Sequence, residues 1–401
     1  MAGYIAKRLG LGLVTLFLFV TLLFFLVNIV VPGDFVSQFI LTGEQAAALR
    51  EQLGIDRSLF AQYVDWMRSL VTLNLGVSFG GFDVWESIVE ALPATLLILG
   101  LALSLAFVLG GWLGRVSAYQ DSSLVSGSLT FVAILFLTAF PPALAFIMEH
   151  VLTTTMGFSG VGELGHLDDQ IWSSSFLGPG DVMWRMIAVL AVTFAVLWSA
   201  ESVMTKLWRR RVPKWLFLIG MVAVPLLAWR AMGLDERVFD LAKTMVLLLG
   251  GVMILTFGDV QLVTRAAMDD VLLEDYVMVA RAKGLPERRV RDHHAARTAL
   301  LPVLSRFTVS IPYFLTGLVI LEAVFGGVGA GSGFVSVTQQ ISAPRGMGVL
   351  IFDAVRTQDT PLIVGSLLVV GVITLLLRIA LDVAHAALDP RIRFDGEENG
   401  N

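Results

Sequence analysis

Cysteine is absent from the 401 residues, which excludes disulfides and thiolate metal sites and leaves the redox compartment unread. Charge is scarce: Asp, Glu, Lys and Arg make up 15% of the chain, against roughly 25% in an average soluble domain. Histidine occurs only as His150, His166, His293, His294 and His385. All lie in loops or near the ends of apolar blocks, and no Gly-x-Ser-x-Gly elbow accompanies them, so intramembrane nucleophilic catalysis is set aside. No Gly-Lys pair occurs either, which excludes a P-loop and hence ATP binding in that manner. What fills the chain instead is apolar, 56% of its residues.

The apolar residues come in blocks. Residues 9–31, 91–114 and 122–148 carry no charge over 23, 24 and 27 positions, and about 20 apolar residues suffice for a helix to cross a bilayer. Five further blocks are shorter or carry a charge near one end: 186–205 with Glu201, 215–229, 244–264 with Asp259, 307–325 with Glu322, and 361–381 with Arg378. A charge near a helix end reaches the headgroups at little cost. Residues 215–229 are the shortest and also suit a re-entrant or interfacial segment. The first block is too long for a signal-peptide h-region, and Asn28-Ile29-Val30-Val31-Pro32 offers no small-residue cleavage site. It reads as a retained helix.

Basic residues fix an expected orientation. With Lys7 and Arg8 placed inside, alternation also puts inside Arg115, the cluster Lys206, Arg209, Arg210, Arg211 and Lys214, the cluster from Arg281 to Arg297, and Arg391 with Arg393. Residues 32–90, which fall outside, hold eight acidic residues against three basic ones. Eight spans with both termini cytoplasmic satisfy every cluster. The fourth and fifth spans stand or fall together, because losing one would put five positive charges on the wrong side. Within 32–90, residues 44–53 read as a short helix that Gly54 caps, and Asp56 starts another running through Tyr63 and Trp66. The loop 151–181 is rich in Gly and Ser and reads as irregular. Pro141-Pro142 is expected to kink the third span.

Between the sixth and seventh spans, helix-forming residues run to Lys283. Gly284 is placed to cap that helix, Pro286 suits N1 of the next, and the chain continues through His293, His294 and Arg297 to a helix-limiting Leu301-Pro302. This is a charged helix-turn-helix projecting from a membrane body. With no acidic or histidine partner at ligand spacing, His293 and His294 do not read as a metal site.

Here the sequence resembles a known family, the inner-membrane permeases of dipeptide, oligopeptide and nickel ABC importers. Its coupling-loop signature is similar to Asp275-Tyr276-Val277, Ala280-Arg281-Ala282-Lys283-Gly284-Leu285 and the later Leu301-Pro302. The resemblance continues in Pro32-Gly33-Asp34, Leu53-Gly54-Ile55-Asp56-Arg57, Leu75-Gly76-Val77-Ser78, Leu92-Pro93-Ala94-Thr95, Glu322-Ala323-Val324-Phe325 and Ala387 to Phe394. Met278 stands where the broader permease signature has Glu.

The resemblance implies an all-α polytopic membrane protein with a type I ABC importer permease fold. Its six-helix core would be enlarged to about eight spans by a hairpin inserted at about 183–233. The expected organisation is 1–31, first span; 32–90, extracytoplasmic; 91–150, second and third spans; 151–237, loop and inserted hairpin; 238–394, core with the coupling loop 265–305; and 395–401, acidic tail. ATPase coupling would rest on Asp275, Tyr276, Ala280, Arg281, Ala282, Lys283, Gly284, Leu285 and Pro286. Glu322 and Phe325 would line the path or dock a binding protein, although an end-of-helix charge in water would also explain Glu322. No cofactor is implied in this chain; ATP would be bound by two separate ATPase subunits. The further partners implied are a second homologous permease, an extracytoplasmic substrate-binding protein and the lipid bilayer of the cell membrane, with no nucleic acid. The rival reading is a secondary transporter, although internal repeats and charges near the midplane are lacking. Peptide-type permeases look alike whether their cargo is peptide, nickel or oligosaccharide.

Overall fold

The computed structural model describes residues 2–30, 36, 42–53, 56–72, 74–119, 124–155, 167–172, 177–208, 213–327 and 346–388. Among them the regular structure is helical apart from one isolated antiparallel bridge, Val77 to Asp83. Several expectations lie outside the described residues: Pro32-Gly33-Asp34, the Gly54 cap, the basic Arg209 to Arg211, the ending from Asp389 onward and the side chains of Lys7 and Arg8.

The first helix, α1 (Ala2–Val30), is followed by the short helices α2 (Gly43–Leu53) and α3 (Leu59–Val71). The start of α3 corrects an expectation. Asp56 lies in the preceding turn, and Ser58 caps the helix by accepting a 3.3 Å hydrogen bond from the Ala61 N–H. A serine hydroxyl at that position satisfies a first-turn donor that Asp56 is too far upstream to reach. Both Tyr63 and Trp66 of α3 stack on α1, on Phe25 and Phe24 respectively.

Next come α4 (Val84–Tyr119), α5 (Leu124–Leu137), α6 (Pro141–Thr155), the four-residue α7 (Asp169–Trp172), α8 (Pro179–Trp208), α9 (Lys214–Ala231) and α10 (Asp235–Leu272). The centre of the molecule is α10, packed along α4, with α5 and α13 (Ala296–Gly327) against its other faces. Small residues permit this approach. A Cβ on Gly114 would lie 2.6 Å from Thr264 Cβ and 2.8 Å from the Gln261 carbonyl oxygen, and Gly258 runs against the Ala133 carbonyl. Without a hydrophobic drive between helices in lipid, such small-residue contacts and interhelical hydrogen bonds hold spans together. Gln261 supplies one such bond, donating from Nε2 to Ser117 Oγ at 3.0 Å.

Among the described residues, six helices are long and apolar enough to cross a membrane: 9–29, 84–119, 179–205, 235–272, 287–325 and 360–383. The third expected span is not straight. It is the pair α5 and α6, bent by 109° at a short break, because Pro141 has no amide hydrogen to continue the ladder and restricts the residue before it. The fifth, 215–231, is a shorter apolar helix that packs on α8, with Phe194 and Phe217 rings in edge contact. The last helices are α14 (Met347–Arg356) and α15 (Thr360–Leu388), the latter against α1 and α13.

A candidate coupling turn and a buried carboxyl

Beyond α10 the chain breaks at Leu273 and restarts as α11 (Asp275–Ala282), instead of running unbroken to Lys283. Asp269 and Asp270 oppose the dipole at the C-terminus of α10, and Asp275 suits the N-terminus of α11. Gly284 then takes φ +73°, a left-handed conformation that costs other residues roughly 1–2 kcal/mol. Its N–H donates to the Arg281 carbonyl at 2.9 Å and the Leu285 N–H to the Ala280 carbonyl at 3.4 Å. That pair of bonds is a Schellman closure, with Leu285 packed near Ala280 beneath it.

Pro286 is the extended N-cap of α12 (Glu287–Arg289), one residue earlier than expected. A π-helical turn over Val290–Ala295 leads into α13. There Leu301-Pro302 does not limit the helix, which runs on through Pro302 and Pro312. Ala299 and Val303, buried on either side of Pro302, supply packing that offsets the missing backbone bond, a loss of about 3 kcal/mol in an unsupported helix.

The loop has its own core. Val277, Val290 and Ala295 are fully buried with Ala118, Met268, Ala280 and Ala299, so the turn is a packed body continuous with the ends of α4 and α10. Polar contacts fasten it further: the Tyr119 hydroxyl bonds Glu287, Arg281 pairs with Glu287 at 3.3 Å, and the Arg291 guanidinium sits 5.6 Å above the Tyr119 ring. Tyr276 donates to Thr298 Oγ1 at 3.0 Å. The opposite face is open. Leu273 is 81%, Met278 54% and Val279 52% exposed, with Asp275, Arg281, Ala282, Lys283 and Gly284 exposed around them. Nothing in a single sequence pointed to Tyr119, which is distant in the chain.

At the other end of α13, Glu322 is not a charge in water. It is 2% exposed, and its Oε1 accepts from Thr95 Oγ1 at 2.8 Å while Oε2 accepts from the Gly348 N–H at 2.6 Å. Thr95 Oγ1 in turn accepts from the Met347 N–H at 2.9 Å. Glu322 and Thr95 thereby occupy the orphan donors at the N-terminus of α14, and Gly346 and Gly348 leave no room for a Cβ beside the carboxyl. Phe325, one turn on, is partly buried against the main core. A third tie joins Ser78 to Asp359, both buried, linking the segment before α4 to the start of α15.

A body of long apolar helices carrying a self-packed turn with an open face defines a multi-pass membrane protein. The chain belongs to the family of binding-protein-dependent transport system inner membrane components, whose profile matches residues 106–394, with the family's N-terminal companion profile matching 1–99. It is 27% identical to the dipeptide transport system permease protein of Lactococcus lactis, over 98% of this chain and 100% of that one. It is 29% identical to the di/tripeptide transport system permease protein of Pseudomonas aeruginosa, over 98% and 99%. The oligopeptide transport system permease protein of Bacillus subtilis is 24% identical, over 98% and 100%.

Proposed function

We propose that this chain is the permease subunit of an ATP-driven, binding-protein-dependent importer of peptides, and that residues 275–286 are its contact with the ATPase. Peptide cargo is supported by its relatives in Lactococcus, Pseudomonas and Bacillus, which are permease proteins of dipeptide, di/tripeptide and oligopeptide transport systems. The observation that carries the contact is the open face of α11. Leu273, Met278 and Val279 stand exposed on a turn whose other side is packed and bonded to α4 and α13. A rigid, partly apolar projection transmits a push. A flexible loop would not.

In this reading both termini and the 265–305 loop are cytoplasmic. Two ATPase subunits hydrolyse ATP, and their closure rocks this chain against a second permease between inward-open and outward-open states. A binding protein delivers cargo on the opposite side. Residues 183–233 are a hairpin added to the six-span core, with α8 and α9 as its arms. The anchoring bond from Trp184 Nε1 to the Val89 carbonyl, 3.0 Å, supports a fixed position for that hairpin.

Co-purification tests the contact. The ATPase subunits are expected to copurify with the chain and to be lost from Gly284→Val, while the variant keeps its yield and gel-filtration position. An ATPase that stays bound to Gly284→Val and to a Met278→Glu/Val279→Glu double variant would remove the coupling role from this turn.

A further inference from the structure

The short helix α3 carries more apolar surface than its seat on the protein uses. At about 100° per residue, Gln62, Asp65, Arg68 and Ser69 gather on one side. There Arg57, just before the helix, and Arg68 pair with Asp65 at 3.0 and 3.8 Å, all three exposed. The other side is apolar and has two parts. Tyr63, Trp66 and Leu70 seat the helix on α1 and on the core beneath it. Phe60, Val64 and Met67 lie about 40–100° further round, and Phe60 is 71% exposed.

Two spans gauge the height at which α3 sits. The Tyr63 hydroxyl shares a 2.9 Å hydrogen bond with Thr21 Oγ1, and the Tyr63 and Trp66 rings stack on Phe25 and Phe24. The apolar span of α1 runs on to Ile29. The crossing therefore lies about 6–12 Å inside that end, at 1.5 Å per residue. The last helix gives the same level. Trp66 packs against the cluster in which Leu23 and Val27 of α1 meet Ile363 and Val364 of α15, and both α15 residues lie within the span 360–383. A helix held at this level is below the surface of any bilayer that α1 and α15 cross. It is the depth, about 5–10 Å, at which an amphipathic helix rests between headgroups and acyl chains.

We infer that α3 is an interfacial helix lying in the outer leaflet, in the orientation proposed above, with Phe60, Val64 and Met67 among the acyl chains and the ion pairs of Asp65 at the headgroups. Depth, continuity and composition select lipid as the occupant of this flank. A protein arriving through water does not reach so far below the surface. On α1, the exposed stripe of Leu18, Leu22, Leu26 and Ile29 stands beside Phe25, so the lipid that covers it continues onto α3. Helix contacts between subunits within a bilayer favour small residues, and the flank of Phe60, Val64 and Met67 has none.

The absence of cysteine makes the test direct. Single cysteines at Phe60 and Met67, with a lipid reference at Leu22 and water references at Arg68 and Glu51, are nitroxide-labelled, and each chain is reconstituted with its partner subunits in nanodiscs. Collision of each label with oxygen, which concentrates in acyl chains, and with a water-soluble nickel chelate is read by electron paramagnetic resonance. The oxygen-to-nickel ratio at Phe60→Cys and Met67→Cys is expected to match Leu22→Cys and to exceed that at Arg68→Cys and Glu51→Cys several-fold. Nickel access at Phe60→Cys equal to that at Glu51→Cys would put the flank in water and overturn the inference. Low collision with both reagents, the signature of a covering protein subunit, would overturn it equally. The measurement uses neither cargo nor ATP hydrolysis, so its failure is separable from failure of the permease reading, which appears as loss of ATPase co-purification.

Discussion

Glutamine at position 322 is nearly isosteric with glutamate, yet the geometry makes it a poor replacement. The Thr95 hydroxyl is committed twice, accepting from the Met347 N–H and donating to Glu322 Oε1. The other carboxyl oxygen faces the Gly348 N–H. Turned one way, a glutamine sets its amide nitrogen against the Gly348 N–H; turned the other, it donates to the second lone pair of Thr95 Oγ1 and leaves the Thr95 hydroxyl proton without Glu322 as its acceptor. One buried hydrogen bond is lost and a donor is left unsatisfied, about 1–3 kcal/mol. Thr95→Val keeps the volume but strips the acceptor from Met347 and the donor from Glu322, about the same cost again. Because both substitutions break the bond from Thr95 to Glu322, the double variant should be about 1 kcal/mol or more less destabilised than the sum of the singles. Thermal unfolding of the four proteins in nanodiscs measures this directly. Singles within ~0.5 kcal/mol of the parent, or effects that add within ~0.3 kcal/mol, would show that Glu322 does not hold the N-terminus of α14.

Other positions give outcomes of different sign and place. Leucine at Gly114 must displace Thr264 and the Gln261 carbonyl, both under 3 Å from its Cβ, so overpacking of about 1–3 kcal/mol is expected, while Gly111→Leu, with open space around its Cβ, is tolerated. Equal melting temperatures for the two variants would contradict the close crossing of α4 and α10. Asp240 Oδ2 accepts both the Trp172 indole N–H at 2.9 Å and the Asp168 N–H at 3.0 Å. Asn keeps one oxygen for both donors, so Asp240→Asn should protect 167–172 from proteolysis nearly as well as the parent. Asp240→Leu, leaving two donors unsatisfied at about 1–3 kcal/mol each, should expose it.

The membrane body was legible in block lengths, because the bilayer imposes a length on every helix that crosses it. The Gly284 turn was legible as well, since a left-handed cap and a following proline are local chemistry. The break at Leu273 was missed, although the acids at 269–270 and 274–275 carried a local signal for it. Pro302 misled in the other direction: a proline ends an isolated helix, but Ala299 and Val303 pack on both sides of it and carry α13 through. Glu322 looked like a span-end charge because its partners, Thr95 and Gly348, lie far away in sequence and meet it only when α4, α13 and α14 assemble. The same holds for Asp259, where snorkelling was the natural reading and the packed structure supplies a hydrogen bond from the Ser310 hydroxyl at 2.6 Å and the Arg306 guanidinium at 3.6 Å.

The central claim is that the open face of α11 is what the ATPase holds. Single cysteines at Met278 and Val279, which are exposed, and at Val277, which is buried, can be placed in this cysteine-free chain and tagged with a short thiol-directed photo-cross-linker, whose photoreactive end inserts into neighbouring C–H bonds, in the assembled transporter. Cross-links from 278 and 279 to the ATPase subunit, changing in yield between nucleotide-free and ATP-bound states and absent at 277, are the predicted result. No cross-link from 278 or 279 in either state, in an assembly that still hydrolyses ATP on delivery of cargo, would contradict it.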